Sequence, residues 1–117
     1  MLEKEIKKLA EEINESQEIM LALGDEMRQH LILVMMQSGN CSGMRVNDIA
    51  ENMKLSRPAV SHHLRILKDA GIVKMRKEGT KNYYYFDADM VAFDKLINML
   101  VHAKNIMSSL PDRSGND

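Results

Sequence analysis

The feature that most constrains the fold is the stretch LSRPAVSHHLRILKDAGIV, residues 55–73, which carries signals for both ends of a helix. Ser56 can act as an N-cap, and Pro58 falls in the first turn, where its missing N–H costs nothing. Gly71 can adopt the left-handed conformation that commonly follows the last residue of a helix. The sequence therefore predicts a helix over residues 57–70.

A shorter helix is predicted immediately before it, over residues 46–53. Its apolar residues, Ile49 and Met53, are spaced to meet Val60 and Leu64 of the following helix, and Ala50 is small where the two helices would cross. Two crossing helices joined by a short turn form a helix-turn-helix unit, whose second helix can enter the major groove of DNA. This unit is the predicted centre of the fold.

The second helix of this unit is predicted to have one polar face. With Val60 and Leu64 facing the core, the side chains on the opposite side must face outwards. Hydrogen-bonding and positively charged groups are suited to base edges and phosphates. The outward residues are Arg57, Ser61, His62, Arg65 and Lys68.

The adjacent histidines, His62 and His63, raise the question of metal binding or catalysis. Neighbouring residues on a helix point about 100° apart, so the two rings cannot chelate one ion together. The nearest acid, Asp69, is nearly two turns away, so no carboxylate is placed to orient either imidazole. We interpret His62 as a DNA-contacting residue and His63, nearer the core edge, as a packing or helix-supporting residue.

Charge is distributed unevenly along the chain. The whole chain has a net charge of −1, but residues 54–81 hold eight Lys/Arg against two Asp/Glu, for +6. A basic middle segment between acidic ends is typical of a protein that meets nucleic acid on one face. A solvated charged face is the alternative that charge alone leaves open.

The rest of the sequence predicts two long helices around this centre, a further helix and a hairpin. Apolar residues at 3–4 spacing, a pattern interrupted only by Ser16, run along a first helix that Gly24 ends. Asp25 can cap a second helix over residues 25–37, with Met27, Leu31, Val34 and Met35 inward. Residues 38–43 read as a loop. Strands over residues 72–76 and 82–86 enclose a basic turn, and Pro111 stops a last helix over residues 89–110.

Length and composition limit the possible classes of protein. The 117 residues suit one domain over residues 1–110, with residues 111–117 as a flexible tail. No apolar run approaches the ~20 residues that span a bilayer, and the charged beginning does not resemble a signal peptide. We therefore expect a cytoplasmic protein without a membrane partner. Cys41, the single cysteine, excludes an internal disulfide and is expected to be a half-buried apolar residue.

The stretch LSRPAVSHHLRILKDAGIVKMRKEG, followed by YYYF, resembles the ArsR/SmtB-type winged helix-turn-helix transcriptional regulators. LGDEMRQHLILVMM also resembles the opening of that family, and the likeness covers roughly residues 23–100. It implies a mainly α fold with a small β-hairpin wing, and a homodimeric repressor of a pseudo-palindromic operator that dimerises through the first and last helices. Lys54 departs from the pattern, because glycine is common there, and is tolerated if its backbone is right-handed.

Two sets of site residues follow. The residues predicted to contact double-stranded DNA, from the helix and the wing, are Ser56, Arg57, Ser61, His62, Arg65, Lys68, Arg76, Lys77, Thr80 and Lys81. The residues predicted to form the dimer interface are Ile6, Leu9, Ile13, Met20, Phe93, Leu96, Leu100 and Met107.

The resemblance also implies two places where many family members bind a regulatory metal. In the thiolate motif both cysteines are absent, and Arg45 introduces a positive charge. In the last helix Asp89 and His102 match ligands, but Val91 and Asn105 occupy the other two positions. Two protein ligands fall short of the three or four of tight zinc sites. We therefore predict no metal site and no cofactor, with Asp89 as a helix cap and His102 beside the dimer seam.

Two functions from different classes remain after these considerations. The favoured one is a sequence-specific DNA-binding repressor, because the outward basic and small polar residues of the second helix are retained. The alternative is a winged-helix module that binds protein within a larger assembly. An enzyme is not expected, since the sequence has no acid–base pair, nucleophile–base pair or phosphate loop.

Overall fold

The computed structural model describes residues 1–38 and 43–115, which form six helices and one hairpin. Cys41 lies outside the described residues, so its burial stays a prediction. The strands β1 (Val73–Glu78) and β2 (Lys81–Phe86) precede the last helix. The helices are α1 (Leu2–Glu15), α2 (Gln17–Leu23), α3 (Glu26–Gln37), α4 (Val46–Met53), α5 (Arg57–Asp69) and α6 (Met90–Ser109).

The first helix differs from the single helix predicted up to Gly24, because it is broken at Ser16 into α1 and α2. Ser16 has φ −103° and ψ 11°, outside the helical range, and its N–H bonds to the Ile13 carbonyl in a tight last turn. Its side chain is buried, and its hydroxyl has no hydrogen-bond partner among the described residues. The break lets α2 turn onto the core while α1 continues away from it.

The predicted signals around α5 are confirmed. Ser56 Oγ accepts a hydrogen bond from the Ala59 N–H at 3.2 Å, and Gly71 has φ 77°. The expectation for Lys54 was wrong, because its backbone is left-handed, with φ 55° and ψ 44°. This conformation lets the Leu55 N–H bond back to the Ala50 carbonyl at 3.0 Å, as in a glycine-capped helix end.

The core lies where α2, α3, α4, α5 and β1 meet. Met27 was predicted to face inwards but is 38% exposed, and Ile32 is buried instead. Met27 and Ile32 are five residues apart, so their side chains point about 140° apart around α3, and only Ile32 faces the core. The largest fully buried side chains are Leu31, Ile49, Val60, Leu64, Leu67, Ile72 and Val73.

The hairpin is held to the body of the protein at Tyr84. Glu78 pairs with Lys81, so that Gly79 and Thr80 form a two-residue connection, in which Gly79 has φ 63°. Tyr84 exchanges two backbone hydrogen bonds with Met44, of 2.7 and 2.8 Å, just before α4. This bridge fixes the hairpin beside the helix-turn-helix unit.

The two terminal helices extend beyond the core. α1 packs on α6, yet α1 has no buried residue. The radius of gyration is 18.6 Å, whereas a compact chain of this length would have about 13 Å. Within the described part of the chain, no helix has both the length and the apolar character needed to cross a membrane.

Candidate nucleic-acid interface

The outward face of α5 is exposed because the opposite face of the helix is buried in the core. Val60, Leu64 and Leu67 are 0% exposed and anchor the helix on the core. Since these residues lie on one side, the polar residues on the other side are open to solvent. Ser56, Arg57, Ser61, His62, Arg65 and Lys68 are all exposed. A rigid helix with one polar and cationic face can dock in a major groove.

The two histidines have different surroundings, as predicted for an outward and a core-edge residue. His62 is exposed, and its Nδ1 lies 3.5 Å from Arg65 Nη2. His63 is half-buried, and its Nδ1 lies 3.3 Å from Arg28 Nη1. The ring centroids are 5.8 Å apart and the planes are tilted by 54°. His62 therefore shares the candidate interface with Arg65, whereas His63 contacts the neighbouring helix α3.

The hairpin contributes a second cationic element. Lys77, Thr80 and Lys81 are exposed around its tip. Arg76 is half-buried and its Nε donates to Glu78 Oε1 at 3.0 Å. This ion pair places a carboxylate beside the Arg76 guanidinium group and offsets its positive charge. The two lysines are thus the wing cations best placed for phosphates.

The prediction from sequence omitted Arg45 and Tyr83. The Tyr83 ring lies near two guanidinium groups, with centroid distances of 6.0 Å to Arg45 and 5.2 Å to Arg76. Aromatic faces attract cations at such distances. Arg45 is the N-cap of α4, so the stack joins the start of the helix-turn-helix unit to the wing. A basic residue directly before α4 was the only signal in the sequence.

An open cleft lies between α4, α5 and the wing. Its volume is about 550 Å³, and Arg57, Ser61 and Asn82 contribute polar groups to its walls. The remaining lining residues are Val46, Pro58 and Tyr84. The cleft therefore adjoins both the outward face of α5 and the hairpin, and the two elements form one continuous surface.

The residues predicted for the dimer interface fall into three groups. Phe93 and Leu96 pack against the core of their own chain. Leu9, Ile13 and Met20 are half-buried. Ile6, Leu100 and Met107 are 46%, 55% and 65% exposed, so they form the open part of the seam. Ile97 and Val101, which the prediction omitted, are also exposed on α6.

The two residues that match family metal ligands are used otherwise. Asp89 Oδ1 accepts hydrogen bonds from the N–H groups of Val91 and Ala92, which caps α6. Both ring nitrogens of His102 are hydrogen-bonded to carboxylates: Nδ1 to Glu12, and Nε2 to Glu5 at 2.7 Å. Along residues 1–38 and 43–115, no three His, Cys, Asp or Glu side chains are placed to hold a metal ion. These residues do not fit the family's metal site.

The sequence matches the family described as "Bacterial regulatory protein, arsR family" over residues 28–75. It is 43% identical over 81 residues, 69% of this chain and 88% of the relative, to the uncharacterized HTH-type transcriptional regulator MJ1325 of Methanocaldococcus jannaschii. It is 31% identical over 84 residues, 72% of this chain and 87% of the relative, to the transcriptional repressor SdpR of Bacillus subtilis.

The fold is also similar to a solved structure. This is the homodimeric winged helix-turn-helix DNA-binding domain of Mb0332 from Mycobacterium bovis, with a TM-score of 0.56, 21% identity, and coverage of 92% of this chain and 93% of that one. The exposed polar face of α5, the hairpin wing and the sequence relatives all indicate the same class of protein. The chain belongs to the arsR family of bacterial regulatory proteins, and it is a winged helix-turn-helix transcriptional regulator.

Proposed function

We propose that this protein is a homodimeric repressor that binds a pseudo-palindromic DNA operator in the cytoplasm. The observation that carries the proposal is the polar, cationic face of α5, whose opposite face is fully buried. Family membership and the naming of SdpR as a repressor support the direction of regulation. The inducer is expected to be something other than a zinc-like ion.

The two DNA-contacting elements are proposed to have different roles. Arg57, Ser61, His62 and Arg65 read base edges from α5, because donors on a groove-bound helix can distinguish base pairs. Lys77 and Lys81 of the wing, together with Arg45 before α4, contact phosphates and add affinity without sequence preference. Ser56, Lys68, Arg76 and Thr80 complete the proposed interface.

Dimerisation is proposed through the open faces of α1 and α6. Ile97, Leu100, Val101 and Met107 are each more than half exposed on α6, which is costly for an isolated chain. A second copy would cover them about a two-fold axis. The extension of α1 and α6 beyond the core and the homodimeric Mb0332 domain support this arrangement.

Selection of binding sites from random double-stranded DNA tests the proposal. The expected result is an inverted repeat with half-sites about one helical turn apart, bound by two protein copies. Arg65→Ala should cost about 1–3 kcal/mol of specific binding, while Lys7→Ala on α1 is the control that leaves binding unchanged. Enrichment of no DNA sequence would exclude this function and favour a protein-binding module.

A further inference from the structure

Arg28 is a buried arginine at the junction of three helices. The residue is only 6% exposed. Its Nη2 donates to the Leu21 carbonyl at 2.8 Å and its Nε to the Ala22 carbonyl at 3.1 Å. Both carbonyls are at the end of α2, where the helix dipole favours a positive charge. These bonds compensate the cost of burying the guanidinium group, and they fix its position.

The third contact of this guanidinium group is to the recognition helix. Arg28 Nη1 lies 3.3 Å from Nδ1 of His63 on α5. Arginine stays protonated in proteins, so Arg28 is the donor and Nδ1 must be an unprotonated acceptor. The contact therefore selects a neutral imidazole whose proton is on Nε2. One side chain thus links the end of α2 to the middle of α5.

The surroundings of His63 favour the neutral imidazole, as the contact with Arg28 does, with one exception. Burial lowers the pKa of His63, and the positive charges of Arg28 and His62 lower it further. Asp25, the N-cap of α3, is the opposing group. Its Oδ2 is 4.0 Å from Arg28 Nη1. A protonated His63 would turn an N–H towards the N–H groups of Arg28, and the contact would be lost.

We propose that the Arg28–His63 contact holds the recognition helix in its DNA-binding position relative to α2, and that protonation of His63 releases it and weakens specific binding. The inference rests on the proposed function. The physical reason is geometric, because α2 continues into α1, the proposed dimer arm, and a dimer must present both recognition helices at a fixed separation. His63 is then a positioning residue that touches no base.

The test measures affinity for the selected site and for a random duplex from about pH 8 down to about pH 4.5, a range that extends well below the ordinary histidine pKa because that of His63 is lowered. The ratio of the two affinities is used because protonation of any histidine strengthens phosphate attraction in both. For the wild type we expect this ratio to fall roughly tenfold in acid, as for loss of one charge-assisted hydrogen bond.

Matched glutamine variants assign the effect. His63→Gln keeps an oxygen acceptor that does not titrate, so it should retain the neutral-pH ratio throughout. His62→Gln makes the same change one residue away and should keep the acid-linked fall, even if base contact is weaker. His63→Leu, which has no acceptor, should show the low ratio at every pH. A His63→Gln profile that falls like the wild type would overturn the proposal.

A measurement without DNA separates this inference from the proposed function. Nitrogen NMR of the His63 ring should show the tautomer protonated on Nε2, with a pKa below the ordinary histidine value. A tautomer protonated on Nδ1 would contradict the contact itself. Failure of the wild type to prefer any DNA sequence would instead contradict the proposed function, while the ring measurement would still decide the contact.

Discussion

Two regions of the molecule bury their apolar residues to different extents. These are the recognition region (α4, α5 and the hairpin) and the arm region (α1 and α6). In the recognition region Ile49, Leu64 and Leu67 are 0% exposed within one chain. In the arm region Leu100 and Val101 are 55% and 53% exposed. The first region is complete in a single chain and keeps its polar face for DNA. The second has an apolar face that a single chain leaves open.

The regions also differ in charge, which separates their proposed partners. Residues 54–81 have a net charge of +6, whereas α1 holds three Lys against five Glu and α6 holds two Lys against one Asp, for −1 in the arm region. DNA would attract the former and not the latter. The arm region therefore offers DNA little attraction, and its open apolar face favours a second copy of the chain.

The largest expected effect comes from making the same substitution at two leucines, one in each region. Leu67→Ala leaves a cavity in the core and should lower the free energy of unfolding by about 2–5 kcal/mol at every protein concentration. Leu100→Ala removes the same atoms from an exposed position, so its effect should depend on protein concentration, as dimerisation does. Denaturant unfolding at two concentrations measures both. Equal effects at the two sites would remove the distinction between the regions.

A charge in the open seam should break the arm region alone. Leu100→Asp places a carboxylate in both halves of a two-fold apolar interface, which should raise the dimer dissociation constant at least about tenfold. Sedimentation velocity over a range of concentrations measures it. Ser108→Asp adds the same charge at another exposed position of α6 and is the control. An unchanged dimer in Leu100→Asp would place the interface elsewhere.

The wing should affect DNA affinity without affecting sequence preference. The double variant Lys77→Ala and Lys81→Ala removes two phosphate contacts from each protomer, four from the dimer, so the slope of log affinity against log salt should fall by about four. Lys7→Ala with Lys8→Ala removes the same charge from α1 and should leave the slope unchanged. Fluorescence anisotropy at several salt concentrations measures it. If one base of the operator changes in preference, the wing reads sequence.

The smallest expected effect is a pH-dependent contribution of the contact between α1 and α6. Hydrogen bonds from His102 to Glu5 and then to Glu12 raise the pKa of the histidine, and the same contact lowers the pKa of Glu5. The contribution from His102 is therefore full below its unfolded pKa and is lost as the pH rises through the raised value. The contribution from Glu5 is lost as the pH falls through the lowered one.

His102→Gln should thus reduce thermal stability most at mildly acidic pH, where both groups are charged. The difference from the wild type should shrink as the medium becomes alkaline. Thermal unfolding at several pH values measures it, with His30→Gln as the control at an exposed histidine. A difference that grows with pH would mean that the neutral ring carries the contact.

The sequence by itself determined the local features. The caps formed by Asp25, Ser56 and Asp89 and the left-handed turn at Gly71 are confirmed, because each involves groups only a few residues apart. The outward face of α5 follows from helix periodicity alone. The distribution of charge along the sequence also showed that the excess positive charge lies in the segment that forms the recognition region.

Only the tertiary structure decided the features that depend on distant residues. Arg28 meets His63 across 35 positions of sequence, and helix periodicity carries no signal for that contact. Tyr84 packs on the core while Tyr83 lies near Arg45 and Arg76, although a run of tyrosines gives no indication of which faces inwards. The break at Ser16, whose side chain is buried, belongs here as well. In each case a non-local contact or burial outweighs the local preference that sequence reasoning uses.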